Sequence, residues 1–169
     1  MLRAVNVGGT AKLPMAELRE LAAELGATDV QTYIQSGNLV CVTPRDPEEF
    51  DRALEKAIET KYGFFRETIS RSPAELRAAL EAHPFEVIEP KYSYIAFMAE
   101  APTSEAIAKA RTYECGDDVW KVIGRDLHLR YANGAGRPSM PAASIARALD
   151  VPTTARNLNT VRKLIDLAG

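Results

Sequence analysis

Two hydrophobic periods alternate along this chain, and that alternation limits the folds open to it. Short apolar, β-branched runs are separated by stretches whose apolar residues recur three and four positions apart. A chain patterned this way buries its core by laying helices against sheet, which predicts an α+β architecture. Residues 2–7 are predicted as the first strand, ending at Gly8-Gly9-Thr10. A helix follows from Pro14, with Leu18, Leu21, Ala22 and Leu25 on one face and Gly26 at its end. Residues 30–35 and 38–43 form the second and third predicted strands, joined at Ser36-Gly37. Asp46, Pro47 and Glu49 mark the start of a second helix with Phe50, Leu54, Ala57 and Ile58 as its buried stripe. Residues 64–70 then complete a β-α-β-β-α-β order, the split βαβ arrangement of the ferredoxin-like fold.

A second round follows this ferredoxin-like half. Ser72-Pro73-Ala74-Glu75 opens a helix that ends at His83-Pro84, where the residue before proline avoids helical geometry. Residues 92–99 are predicted as strand, 103–111 as helix, and 119–123 and 127–131 as strands joined by a turn at Gly124-Arg125-Asp126. Two C-terminal helices are expected near 143–149 and 154–167. The chain therefore divides into residues 1–71 and a βαββα-type half, 72–169.

Hydrophobic residues at 46% and charged residues at 26% supply a core and argue against disorder. No apolar run approaches the ~20 residues that span a bilayer, and the first residues lack a signal-peptide pattern. Cys41 and Cys115 are isolated, forming neither a disulfide framework nor a metal motif, so a reducing, cytoplasmic setting is expected, with no metal or cofactor. The net charge of −2 is unevenly spread. Residues 1–119 carry 13 basic and 20 acidic side chains, whereas residues 120–163 carry eight basic and two acidic ones. Such a segment sets up a local positive field on a protein that is acidic as a whole.

Four stretches form a distinctive set: Arg3-Ala4-Val5-Asn6-Val7-Gly8-Gly9, Pro14-Met15-Ala16-Glu17-Leu18, Thr32-Tyr33-Ile34-Gln35-Ser36-Gly37-Asn38, and Thr154-Ala155-Arg156-Asn157-Leu158-Asn159-Thr160-Val161. Together they resemble the uncharacterised bacterial family catalogued as domain of unknown function 1697, over nearly the whole chain. The family's opening usually reads R-G-I-N-V-G-G, where this chain has Ala4-Val5, and its closing stretch usually carries tryptophan where this chain has Leu158. The second change removes an aromatic ring able to stack on a ligand. The resemblance implies an α+β fold of ferredoxin-like character and no established activity.

Topology nominates two sites. In a split βαβ unit the first two strands run parallel, so the bends that follow them emerge at one end of the sheet. That places Asn6, Gly8, Gly9, Thr10 and Lys12 beside Gln35, Ser36 and Asn38, with Lys61, Tyr62 and Gly63 joining them and Tyr33 as a further ligand-binding candidate, as a cradle for a phosphate or carboxylate. The competing reading is ordinary turn chemistry. Gly9-Thr10-Ala11-Lys12 is no P-loop, which needs Gly-Lys-Ser/Thr opening the helix. The second site lies in the basic segment. Arg137 and Ser139 follow a glycine-containing loop, and Arg156 and Asn157 stand in the first turn of the last predicted helix. His83 and His128 read as structural, and Glu114-Cys115-Gly116-Asp117-Asp118 as a solvated acidic loop rather than a cation site or nucleophile.

Binding of a small anionic ligand, a nucleotide or phosphorylated metabolite, is the function these features favour. A small enzyme using the same cleft, with Tyr33 and Lys12 as its candidate acid–base groups, is an alternative; no catalytic residue is assigned. RNA binding ranks low, since predicted strands 2–7 and 38–43 carry no aromatic platform. A protein-interaction module of unspecified oligomeric state is the remaining class.

Overall fold

The structure, a computed structural model, describes residues 1–6 and 11–169. It is an α+β fold of two compact units, Met1–Pro73 with Asp166–Gly169, and Ala74–Ile165.

In the first unit, α1 (Met15–Glu24) starts immediately after Pro14 and turns Met15, Leu18, Leu21 and Ala22 inward. The antiparallel strands β1 (Thr28–Tyr33) and β2 (Asn38–Val42) follow. Tyr33 pairs with Asn38, so the connecting turn spans residues 34–37 rather than Ser36-Gly37 alone. Gly37 has φ +74°, and a Cβ there would lie 2.6 Å from Val5 Cγ2 and 2.8 Å from Leu2 Cβ. The turn needs glycine because the N-terminal segment packs directly on it. In α2 (Pro47–Tyr62) the Asp46 side chain accepts the Glu48 N–H at 2.9 Å, the expected cap. Leu54 and Ile58 of α2 join Leu2, Val5 and Leu18 in one core.

Neither outer strand expected in this unit forms as an extended element among the described residues; Leu2 and Thr68 make a single antiparallel bridge. Ala4 (φ +49°) and Asn6 (φ +55°) adopt left-handed geometry, which interrupts the first expected strand. In the last, Thr68 N–H donates to Glu55 Oε1 at 2.7 Å and Ser70 N–H to Asp51 Oδ2 at 2.9 Å. Buried carboxylates of α2 thus take amides that a neighbouring strand would have used.

In the second unit, α3 (Pro73–Glu81) leads into a short 3-10 turn, Pro90–Tyr92, and then β3 (Ser93–Met98), α4 (Ser104–Ala110), β4 (Val119–Ile123), β5 (Asp126–Arg130), α5 (Ala142–Leu149), β6 (Thr153–Asn157) and α6 (Leu158–Ala168). The strands lie in the order β4-β5-β3-β6 with every neighbouring pair antiparallel. β3 and β4 therefore run parallel on either side of β5, the split βαβ connectivity. Residues 153–157 are strand, not the start of the last helix. Thr154 and Arg156 are buried while Ala155 is exposed, a period of two that polar side chains conceal in the sequence. Ala96, Met98, Leu127 and Leu129 form one core with Ile145 and Leu149 of α5. Among the described residues, no helix is long and apolar enough to cross a membrane.

Candidate functional site

Asn6, which precedes the first expected bend, reaches the 34–37 turn. The Asn6 side-chain amide donates to the Gln35 carbonyl and to the Leu13 carbonyl, both at 2.8 Å, and its oxygen accepts the Leu13 N–H at 2.8 Å. Asn38 is fully buried and donates to the Tyr33 carbonyl at 3.1 Å and to Ser36 Oγ at 3.0 Å. These asparagines knit backbone to backbone, as turn-stabilising residues do. Lys12 is exposed, and Gly8 and Gly9 lie outside the described residues. Lys61 and Tyr62, expected beside these bends, engage Glu17 of α1. Lys61 Nζ is 2.9 Å from its carboxylate and the Tyr62 hydroxyl donates to the same oxygen. Partial burial, followed by that hydrogen bond, pushes the Tyr62 phenol up to about 12, and the Tyr62 bond holds Glu17 below the usual carboxylate range.

The second unit carries an open cleft of about 530 Å³ lined by Lys91, Tyr92, Tyr94, Asn133, Arg137 and Asn157 together with residues 134–136. Antiparallel pairing explains the gathering. β5 and β6 both end where β3 begins, with Ser93 opposite Arg130 and Tyr94 opposite Asn157. The chain leaving β5 stays attached to that edge, since Tyr131 N–H donates to the Tyr92 carbonyl at 2.9 Å. Tyr131 also meets Tyr94 edge-on, with ring centroids 5.5 Å apart. Lys91 Nζ stands 5.3 Å from the centre of the Tyr92 ring and 4.0 Å from Glu89. Arg137 is exposed and makes no ion pair among the described residues.

Gly134, at φ +82°, closes the loop against Tyr92; a Cβ there would fall 2.8 Å from Tyr92 Cε1. Gly134→Ala is expected to cost about 1–2 kcal/mol through strain and a displaced ring. Urea unfolding checks this, and an unchanged midpoint would contradict it.

Of the basic-segment residues nominated from sequence, Arg137 and Asn157 line this cleft. Asn157 Oδ1 also accepts the Thr160 N–H at 2.9 Å, capping α6. Ser139 lies beyond the lining. Arg156 alternates to the opposite side of β6, where it is buried and donates to Thr154 Oγ1 at 2.8 Å and to the Ala155 carbonyl at 2.7 Å. Burial lowers its guanidinium to about 10. Lys91, Tyr92, Tyr94 and Asn133 were not nominated. The sequence signals for them are Asn133 at the head of the glycine-containing loop and Tyr92 and Tyr94 two residues apart in the predicted strand 92–99.

The acidic loop before β4 is not uniformly solvated. Asp118 is only 3% exposed. Its Oδ1 accepts the Ala132 N–H at 2.8 Å, and its Oδ2 accepts those of Ser139 at 2.7 Å and Met140 at 2.9 Å. The Cys115 thiol donates to the Tyr113 carbonyl at 3.4 Å. Among the described residues, no three His, Cys, Asp or Glu side chains are placed to hold a metal. Tertiary packing brings His83 and His128 together, with Nδ1 atoms 3.2 Å apart.

The conserved bacterial protein SP0830 from Streptococcus pneumoniae has a similar solved structure, with a TM-score of 0.75 and 24% sequence identity. The superposition covers 100% of this chain and 96% of that one, and at this identity it speaks to the fold alone. No curated protein matches the chain. A family model does match, over residues 1–128, and the chain belongs to that family, described as Protein of unknown function (DUF1697).

Proposed function

We propose that the chain binds a small anionic ligand, of the nucleotide or phosphorylated-metabolite class, in the cleft at the start of β3. The observation that carries this reading is the lining: two cations, Lys91 and Arg137, and no carboxylate, with Glu89 4.0 Å from Lys91 but outside the lining. Charge of one sign in a concave site concentrates ions of the other. Arg137 offers a fork of donors matched to phosphate or carboxylate oxygens, and Asn133 and Asn157 add neutral amides. Tyr92 and Tyr94 give the site apolar surface for the remainder of a ligand. The bends of the first unit support this role less well, because Asn6 and Asn38 spend their amides on backbone carbonyls. A cytoplasmic setting is in keeping with two free cysteines.

Titration of the full chain with AMP and with inorganic phosphate tests the reading. Arg137→Ala is expected to weaken binding about tenfold, or about 1.4 kcal/mol, while Lys12→Ala leaves it unchanged. Equal affinity of Arg137→Ala and the parent chain would reject the cleft as the site.

A further inference from the structure

We infer that Asp118 is the positioning residue of this cleft, its single carboxylate drawing the neck of the 132–140 loop closed so that Arg137 is presented to the ligand. The inference rests on the anion-binding reading above. The loop leaves β5 at Tyr131 and rejoins regular structure at α5, so no strand ladder holds residues 133–138. Gly134 rests on Tyr92 and the Arg137 N–H donates to the Gly134 carbonyl at 3.1 Å within the loop, but the two ends are joined to each other through one side chain. Ala132 at one end of the loop, and Ser139 and Met140 at the other, donate their backbone N–H groups to the two oxygens of Asp118. The cleft-lining residues 133–137 hang between those clamped ends.

Three donors converging on one buried group need an acceptor at both oxygens, and a carboxylate is the side chain that supplies two. Asn at this position keeps one oxygen and turns an NH₂ toward amides that also donate. It can satisfy Ala132 or the Ser139–Met140 pair, not both. The neck then opens at one end, and Arg137 loses its fixed place relative to Lys91. Asp118 itself is absent from the cleft lining, so its effect on a ligand runs through the loop.

The test joins amide exchange to binding in the intact chain. In the parent protein the amides of Ala132, Ser139 and Met140 should exchange far more slowly than those of Ala135 and Gly136. Asp118→Asn should speed exchange at one or both ends of the neck at least tenfold while the β3–β5 amides keep their protection. Affinity for AMP and inorganic phosphate should fall about tenfold. Ile145→Val, a core change in α5, should lower Tm without moving that affinity, separating positioning from general loss of stability. Accelerated exchange with unchanged affinity overturns the positioning role. So does a parent chain whose three neck amides exchange as freely as Ala135, a measurement that stands even if the Asn variant does not fold. A parent chain that binds neither probe, seen before any substitution is made, rejects the ligand reading itself and the positioning role with it.

Discussion

Asp118→Ala should lower the free energy of unfolding by roughly 3–5 kcal/mol, the largest effect expected of any single acidic residue between 114 and 118. A hydrogen bond to a charged group contributes about 1.5–3 kcal/mol, and Asp118 accepts three. Simple addition overstates the loss, because two of these bonds are only partly buried and water reaches the vacated amides. The Met140 N–H is buried and has no ready substitute for its acceptor. Glu114 and Asp117, exposed on the same loop, should move stability by no more than about 0.5 kcal/mol when truncated. Urea denaturation of the three variants gives the contrast. Equal midpoints for all three would mean that the loop neck does not depend on Asp118.

A second large effect concerns acid. His128 is fully buried on β5, and its ring touches His83 at the end of α3. Burial, then the charges of His83 and Lys121, lower His128 to about 4, and burial lowers His83 as well. At neutral pH one Nδ1 carries the proton and the other accepts it, a bond between two uncharged rings. Both folded values lie below the unfolded value of about 6.5. Between about 6.5 and 4 the unfolded chain therefore binds protons that the folded chain refuses. Stability falls as pH falls through that window, and above it these two groups contribute no pH dependence. For His128 alone the loss by pH 4 is roughly 3 kcal/mol, and His83 adds to it with the same sign. His128→Phe should flatten the difference in stability between pH 7 and pH 4.5 relative to the parent chain. Parallel pH profiles for the two proteins would show that the imidazole pair does not govern the acid response.

Much of the fold was legible because local chemistry and tertiary packing agree. Asp46-Pro47 caps α2 as its residue types require, and Leu18, Leu21 and Ala22 face inward at helical spacing. The departures have physical causes that a one-dimensional pattern does not carry. Ala4 and Asn6 bend a run that looks like strand, and Glu55 and Asp51 take the amides of the segment expected to pair beside it. β6 was concealed because a buried Arg156 reads as a surface residue, while Leu158, Val161 and Leu164 extend a helical pattern back toward it. The site was legible only in part. Arg137 and Asn157 stood out by residue type. Their alliance with Lys91, Tyr92 and Tyr94 depends on a register, Tyr94 against Asn157, that joins positions far apart in the chain. The same holds for Asp118, whose partners lie 14 to 22 residues downstream, and for the histidine pair, separated by 45.

Amide chemical-shift mapping of the full-length chain during titration with AMP asks most directly where the anion sits. Saturable shifts should cluster at Lys91, Tyr92, Tyr94, the 133–137 loop and Asn157, and should vanish in Arg137→Ala. Shifts confined to Asn6 and the 34–38 turn, or no saturable shift at millimolar AMP, would contradict the assignment of binding to the second unit.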